Sequence, residues 1–260
     1  MKRYAEIYQQ CIKISFAQAA AYRANFLLGF LTSLLSNLLA PLLTILIYAN
    51  DRVIPGWSYH EALLIQSVFM LCTGLCSPFF SSVVWITMDH VREGTFDLIM
   101  LKPVSAVFLT AASSFGLSDV GALLSGIVLF VWSASHLPAP SPLSLLLFAY
   151  LLSMGACLYL GFVLLMAAIS FKWIGNSRLF SIFDSFAMFG RYPATIFSGV
   201  LRRLITGFIP VAMLGFFPAA AILGYGADGM LIPSLCSGAF LALGWWVFHR
   251  MIYLYQSAGG

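Results

Sequence analysis

The sequence predicts an all-α polytopic membrane protein that crosses the bilayer six times. Three observations carry this. Of 260 residues, 61% are hydrophobic and only 8% charged, against about 25% charged in an ordinary soluble domain. The mean hydropathy is +0.95. Apolar runs of the roughly 20 residues needed to cross a hydrocarbon core recur along the whole length. With 13 Lys and Arg and 9 Asp and Glu, too few charges remain to coat a water-facing catalytic domain. The net charge of +4 therefore says little about nucleic acid, and none is expected as a partner. Where the cations sit matters more, because Lys and Arg collect in cytoplasmic loops.

Residues 1–23 differ from the rest of the chain. Tyr4, Ile7, Tyr8, Cys11, Ile12, Ile14 and Phe16 alternate with Lys2, Arg3, Glu6, Lys13 and Arg23, the pattern of a helix lying along a membrane surface. The stretch lacks the apolar core and cleavage site of a signal peptide. The first span is expected at about 25–48, with Pro41 late enough to kink it. A short loop holding Asp51, Arg52, Pro55, Gly56 and Trp57 leads to the second span at about 61–88. A charged connection over residues 89–103 precedes the third span at about 107–132. The proline-rich turn 136–142 then gives way to the fourth span at about 143–171, and the last span lies at about 231–253.

Residues 172–230 allow two readings. Hydropathy selects 204–224 as the fifth span, although Pro210 and Pro218 lie inside it. The other reading places the span at about 173–192, interrupted by Arg178 and Asp184. Residues 193–230, divided by Pro193, Pro210 and Pro218, then dip back into the membrane without crossing, as short helices buried by protein can. Either way both termini share one face. In the second reading that face holds Lys2, Arg3, Lys13, Arg23, Arg92, Lys102, Lys172, Arg178 and Arg250, against Arg52, Arg191, Arg202 and Arg203 opposite. The excess places both termini in the cytoplasm.

The sequence holds no enzyme constellation. His60, His90, His136 and His249 sit at four separate span ends, so no two have metal-ligand spacing on one helix. No metal site is expected. Cys72 and Cys76 are four apart on a helix with no His or carboxylate in that turn, and read as small packing residues. There is neither a glycine-rich phosphate loop ending in Lys-Ser/Thr nor a Gly-x-Ser-x-Gly elbow, so this chain is expected to bind no nucleotide or other cofactor itself. Asp119 falls midway along the third span and Asp184 midway along the second version of the fifth. A membrane-centre acid costs about 2.5–3.5 kcal/mol on insertion scales and usually faces a cavity or a partner. The two aspartates therefore line a translocation path, or they serve structure, with Arg178 or Arg191 as partner. Just beyond Asp119, Gly121 with Ser125 and Ala122 with Gly126 form small-xxx-small pairs that permit close helix packing.

The connection at residues 91–104, VREGTFDLIMLKPV, is not a plain polar turn. Phe96, Ile99 and Met100 alternate with Arg92, Glu93, Asp97 and Lys102, and Gly94 and Pro103 bracket one or two helical turns. The element is either a docking helix for something in the cytoplasm or a plain interfacial connector, and composition alone favours the connector. Here the sequence resembles the permease subunits of ABC-2 family exporters, in the bacterial branch whose permease and ATPase are separate chains. That branch carries an arginine, glycine, small residue, aspartate, leucine and basic-proline pattern between its second and third spans. It reads here as Arg92, Gly94, Thr95, Asp97, Leu98, Leu101, Lys102 and Pro103. A second similar stretch runs from Arg191, Tyr192 and Pro193 to Ile196 and Phe197, then Leu201, Arg202, Ile209, Pro210, Phe217, Pro218 and Ala219.

The resemblance implies a single permease domain over 1–260, with an interfacial helix at 1–23, a cytoplasmic coupling helix at 89–104 and a re-entrant outer segment at 193–230. The coupling helix would sit in a groove of a separate ATPase, present in two copies, which binds the ATP and Mg. Phe96, Leu98 and Leu101 would fill that groove, while Arg92, Glu93 and Asp97 set its register, beside Gly94 and Lys102. Tyr192, Pro193, Pro210, Phe217 and Pro218 would belong to an outer gate. A second permease, a copy or a related chain, would complete the assembly in the lipid of the bacterial cytoplasmic membrane. The cargo would be an amphiphilic or hydrophobic molecule, with the two aspartates favouring a cation. A secondary transporter or channel is the competing reading; it calls for interrupted helices paired between the two halves, or an internal repeat, and no repeat is found. A lipid-modifying enzyme would need clustered His, Asp or Ser at one membrane face.

Overall fold

The computed structural model describes residues 2–50, 52–173, 177–225 and 229–255, with side chains left out at Lys2 and 177–180. Among the described residues every regular element is a helix, and five helices are long and apolar enough to cross a membrane. The first helix, α1 (Lys2–Ala21), is amphipathic. It lies beside the short helix α6, Tyr4 meeting Phe108 edge-on at 4.7 Å and the Ser15 hydroxyl donating to the Phe115 carbonyl at 2.9 Å. The chain breaks at Tyr22 and enters α2 (Arg23–Ala49), which carries Pro41.

After the 50–58 loop, Ser58 and Glu61 close a reciprocal capping box that starts α3 (Tyr59–Phe80). The second span is not one helix. It breaks at Ser81, three residues after Pro78, and resumes as α4 (Ser82–Arg92). Gly94 takes a φ of 68°, a left-handed conformation that side chains resist, and so ends the span sharply. The His90 ring nitrogen pairs with the Thr95 hydroxyl at 2.7 Å across this turn. The short helix α5 (Phe96–Met100) follows.

The third span is also divided, into α6 (Ala106–Ser113) and α7 (Val120–Ala134), with a tight helical turn at Leu117–Asp119 between them. Asp119 thus opens a helix instead of lying within one. The two breaks face each other. At the end of α3, where carbonyls lose their helical partners, Pro78 accepts from the Gly116 N–H at 2.8 Å and Phe79 from the Ser114 hydroxyl. The small-residue pairs act as expected. A Cβ on Gly121 would come within 2.6 Å of the Phe30 carbonyl of α2, and one on Gly126 within 2.9 Å of the Leu71 nitrogen of α3.

Ser141 caps α8 (Pro142–Ser170), with Pro142 in its first turn. The last helix, α12 (Leu231–Ile252), runs alongside it in the same direction. Two ring contacts fix this: Phe162 stacks on Phe240 at 4.8 Å, and further along Phe171 meets Phe248 at 5.4 Å. Between those contacts Gly161 and Gly244 bring the backbones together, so that a Cβ on Gly161 would lie 2.6 Å from the Phe240 carbonyl.

Because α8 and α12 are parallel, the intervening residues return the chain from the Phe171 end to the Ile232 end. They do so in pieces: α9 (Ser177–Ala187), tight turns at Met188–Arg191 and Ala194–Ile196, α10 (Gly199–Arg203), a π-helical turn at Leu204–Phe208, a tight turn at Val211–Leu214, and α11 (Phe216–Ile222). Neither 173–192 nor 204–224 is a continuous helix, and residues 174–176 of the first range lie outside the described residues. Phe183 stacks on Phe162, Thr195 accepts from the Trp57 indole at 2.7 Å, Gly155 abuts the Met213 carbonyl, and Tyr225 meets Trp57 again at 5.6 Å. The chain therefore climbs to the Trp57 end, descends to the level of Gly155, and climbs back. Residues 226–228, inside the expected outer segment, lie outside the described residues.

A polar cleft and an exposed short helix

The polar cleft starts with α3. Thr73, Ser77 and Ser81 recur every four residues and so share one face with Phe69. They line a cavity of about 480 Å3 between α2, α3, α8 and α9, together with Ser33, Asn37, Trp85, Asp119, Tyr159, Phe183, Asp184 and Arg191. The structure thus brings both sequence-selected aspartates to one cleft, although they lie on separate elements. Ser81, at the break in the second span, donates to Asp119 Oδ2 at 2.5 Å. The Arg191 guanidinium sits 4.8 Å from the centre of the Phe69 ring, a cation–π contact. Among the described residues no ion pair reaches Asp184; the side chain of Arg178, one of its two expected partners, is not among them.

The four-residue polar stripe on α3 is a period within an apolar span, legible in the sequence but masked there by the hydropathy of its neighbours. Tyr159 and Phe183 join the cleft only through tertiary packing and leave no such signal. The residues expected at an outer gate are mostly buried. Pro193, Pro210, Phe217 and Pro218 are buried and Tyr192 is half-buried, with Phe217 in the cluster that holds Val211–Leu214 against α8. The histidines sit at separate span ends in the sequence, yet His60 and His136 stack at 4.6 Å beside Trp132. No third ligand joins them, since among the described residues no three His, Cys, Asp or Glu side chains converge.

The second feature is α5 and its flanks. Phe96 and Ile99 face inward, and Leu98 and Leu101 outward, as three-residue spacing on a short helix dictates. Phe96 is fully buried, meeting Phe171 at 4.7 Å and Tyr255 at 5.6 Å. It therefore cannot fill a partner's groove: burying it stabilises the chain's own fold by about 1.5–3 kcal/mol. Leu98 is 60% and Leu101 80% exposed, beside exposed Arg92, Glu93 and Lys102 and half-buried Gly94 and Asp97. Arg92 pairs with Asp89 at 3.1 Å, a surface pair worth at most about 1 kcal/mol and easily exchanged for another partner.

A cavity of about 520 Å3 separates Lys102, Pro103 and Val104 from Arg3, Glu6 and Gln10 of α1, so the N-terminal helix sits beside this element. Taken together, the chain offers a polar cleft inside an apolar bundle and, at one end, a small helix fixed from within and apolar without. No curated protein and no solved structure matches the chain. A family profile does: residues 34–259 match the ABC-2 family transporter protein. With the match covering nearly all of its length, the chain belongs to the ABC-2 family of membrane permeases, a transport component and not a catalyst.

Proposed function

We propose that the chain is the six-span transmembrane subunit of an ATP-driven exporter for amphiphilic cations. The observation that carries this is the meeting of Asp119 and Asp184 in one polar cleft. ABC transporter permeases pair with ATPase subunits, and here residues 89–104 form the coupling helix, with Leu98 and Leu101 entering a groove of the ATPase and Arg92, Glu93 and Asp97 setting register. Phe96 anchors the helix from inside. ATP closes the two ATPase copies, the coupling helix is pushed, and the bundle opens the cleft to the far side.

The parallel course of α8 and α12 supports six crossings, with α9 and the turns after it as the fifth. The descent from Thr195 to Met213 and return to Tyr225 supports a re-entrant segment over 193–230, which closes the path as an outer gate. The cation excess on their side supports termini in the cytoplasm of a bacterium, with α1 on the inner leaflet. A second permease completes the path. Leu28, Leu31, Leu35, Leu39, Leu42 and Leu46 are all exposed along α2, a stripe of near-heptad spacing that supports a helix-to-helix contact there. A secondary transporter would also call for an internal repeat between the two halves, and the sequence shows none.

The full chain, solubilised in mild detergent from a host with its whole complement of proteins, should carry an ATPase subunit in stoichiometric amount. Asp97→Arg and Leu101→Glu should each strip the ATPase away while leaving the permease monodisperse on gel filtration. A chain that purifies alone, or an ATPase retained by both variants, would remove the coupling assignment.

A further inference from the structure

Helix α10 ends in Arg202 and Arg203, both exposed, and the backbone then widens into the π-helical turn, a distortion found often at functional sites. The two arginines and Thr206 form one wall of a pocket of about 420 Å3, and Ile232 and Pro233 of α12 form another. It shares no lining residue with the polar cleft. Among the described residues neither arginine has an ion-pair partner and no acidic side chain lines the pocket. Tyr225, at its edge, gives its hydroxyl to Glu61 at 3.2 Å, and that carboxylate also accepts the Ser58 N–H at 2.8 Å.

Gly207 lines this pocket and a second, apolar one of about 750 Å3, whose walls include Phe208, Cys236, Ala239, Phe240 and Leu243. A Cβ at Gly207 would meet nothing within 4 Å, so the passage past this shared residue is uncrowded on the side its Cβ would face. Ile232, Cys236, Ala239 and Leu243 recur at helical spacing along one face of α12, about 16 Å of axis. That is close to half of a hydrocarbon core about 30 Å thick. Val200 and Phe208, on either side of the arginines, are 71% and 76% exposed, so the two cations are flanked by apolar surface of the kind that faces hydrocarbon, next to which an uncompensated charge is costly.

We propose that this face binds one anionic phospholipid, its phosphate held by Arg202 and Arg203 and an acyl chain lying along α12 past Gly207. Guanidinium matches phosphate in charge and in planar, bidentate geometry, and the apolar groove begins where a headgroup ends. The inference needs only that the chain is a membrane protein, not that it is an exporter.

Native mass spectrometry of the full chain, re-lipidated with chain-matched phosphatidylglycerol or phosphatidylcholine, tests it. Phosphatidylglycerol should be retained about tenfold better. Arg202→Gln with Arg203→Gln should erase the preference, and Arg202→Lys with Arg203→Lys should keep most of it. Gly207→Leu, which fills the passage and leaves both arginines in place, should lower retention of either lipid. Equal retention of the two lipids by the unmodified chain would overturn the proposal, as would an unchanged preference in the double glutamine variant. Full displacement by millimolar inorganic phosphate would also overturn it, because the site would then take the free anion without a lipid tail.

Discussion

Gly161→Leu should prevent the chain from accumulating as a folded protein. At that position α8 and α12 touch backbone to backbone, and a Cβ would stand 2.6 Å from both the carbonyl carbon and the oxygen of Phe240. Neither helix has a flexible side chain there to swing aside, because the facing residue is Gly244, whose own Cβ would strike the Gly161 carbonyl. Relief requires the helices to separate along their whole contact, and the Phe162–Phe240 and Phe171–Phe248 ring pairs would part with them. In lipid no hydrophobic effect between helices compensates for lost packing. The expected cost is at least about 3 kcal/mol, at or beyond the usual upper range for overpacking. Gly238→Leu is the matched control, since a Cβ there meets nothing within 4 Å. Thermal unfolding in detergent should show Gly161→Leu aggregated or strongly shifted and Gly238→Leu unchanged; equal melting of the two would mean that the helices do not cross there.

Asp184→Asn should lower export of a cationic amphiphile about tenfold, the equivalent of about 1.4 kcal/mol, while a neutral amphiphile of similar size moves as before. The cleft holds two acids and one arginine, so whenever both acids are ionised it carries a net negative charge, and a cation entering it gains an attraction that amidation removes. ATP turnover of the assembled transporter should change less than transport does, because Asp184 lies in the cleft and not at α5. Vesicle transport of a cationic and a neutral dye, with ATPase activity measured on the same preparations, separates the cases. Equal loss with both dyes, or loss in neither, would make Asp184 a structural residue.

Hydropathy alone locates α2, α8 and α12, because each is a long unbroken apolar run whose ends carry polar or aromatic punctuation. It cannot locate the breaks at Ser81 and at 114–119. Those depend on backbone groups of one helix finding partners in another, the Gly116 N–H on the Pro78 carbonyl and the Ser114 hydroxyl on that of Phe79, a pairing that has no local pattern. For the same reason Asp119 reads in the sequence as a mid-helix acid. The fifth passage fails differently: Pro193, Pro210 and Pro218 announce interruption, but the path between them is set by Gly155, Cys72 and Phe69, far away in the chain. At α5 the sequence supplies the apolar residues but not the direction each one faces. Phe96 and Leu98 are both apolar, and only the positions of Phe171 and Tyr255 decide which of them turns inward.

The anchoring of Phe96 has a consequence for biosynthesis. Phe248 and Tyr255 belong to the same apolar cluster as Phe96 and Phe171, so the first turn of α5 waits on α12, a helix far downstream in the chain. Until α12 inserts, the ring has only part of its socket and the outward leucines have no fixed direction. A chain stopped short of α12 would present the residues of α5 without their fixed orientation. If a partner is recruited through this element, as proposed, recruitment would wait until α12 is in place.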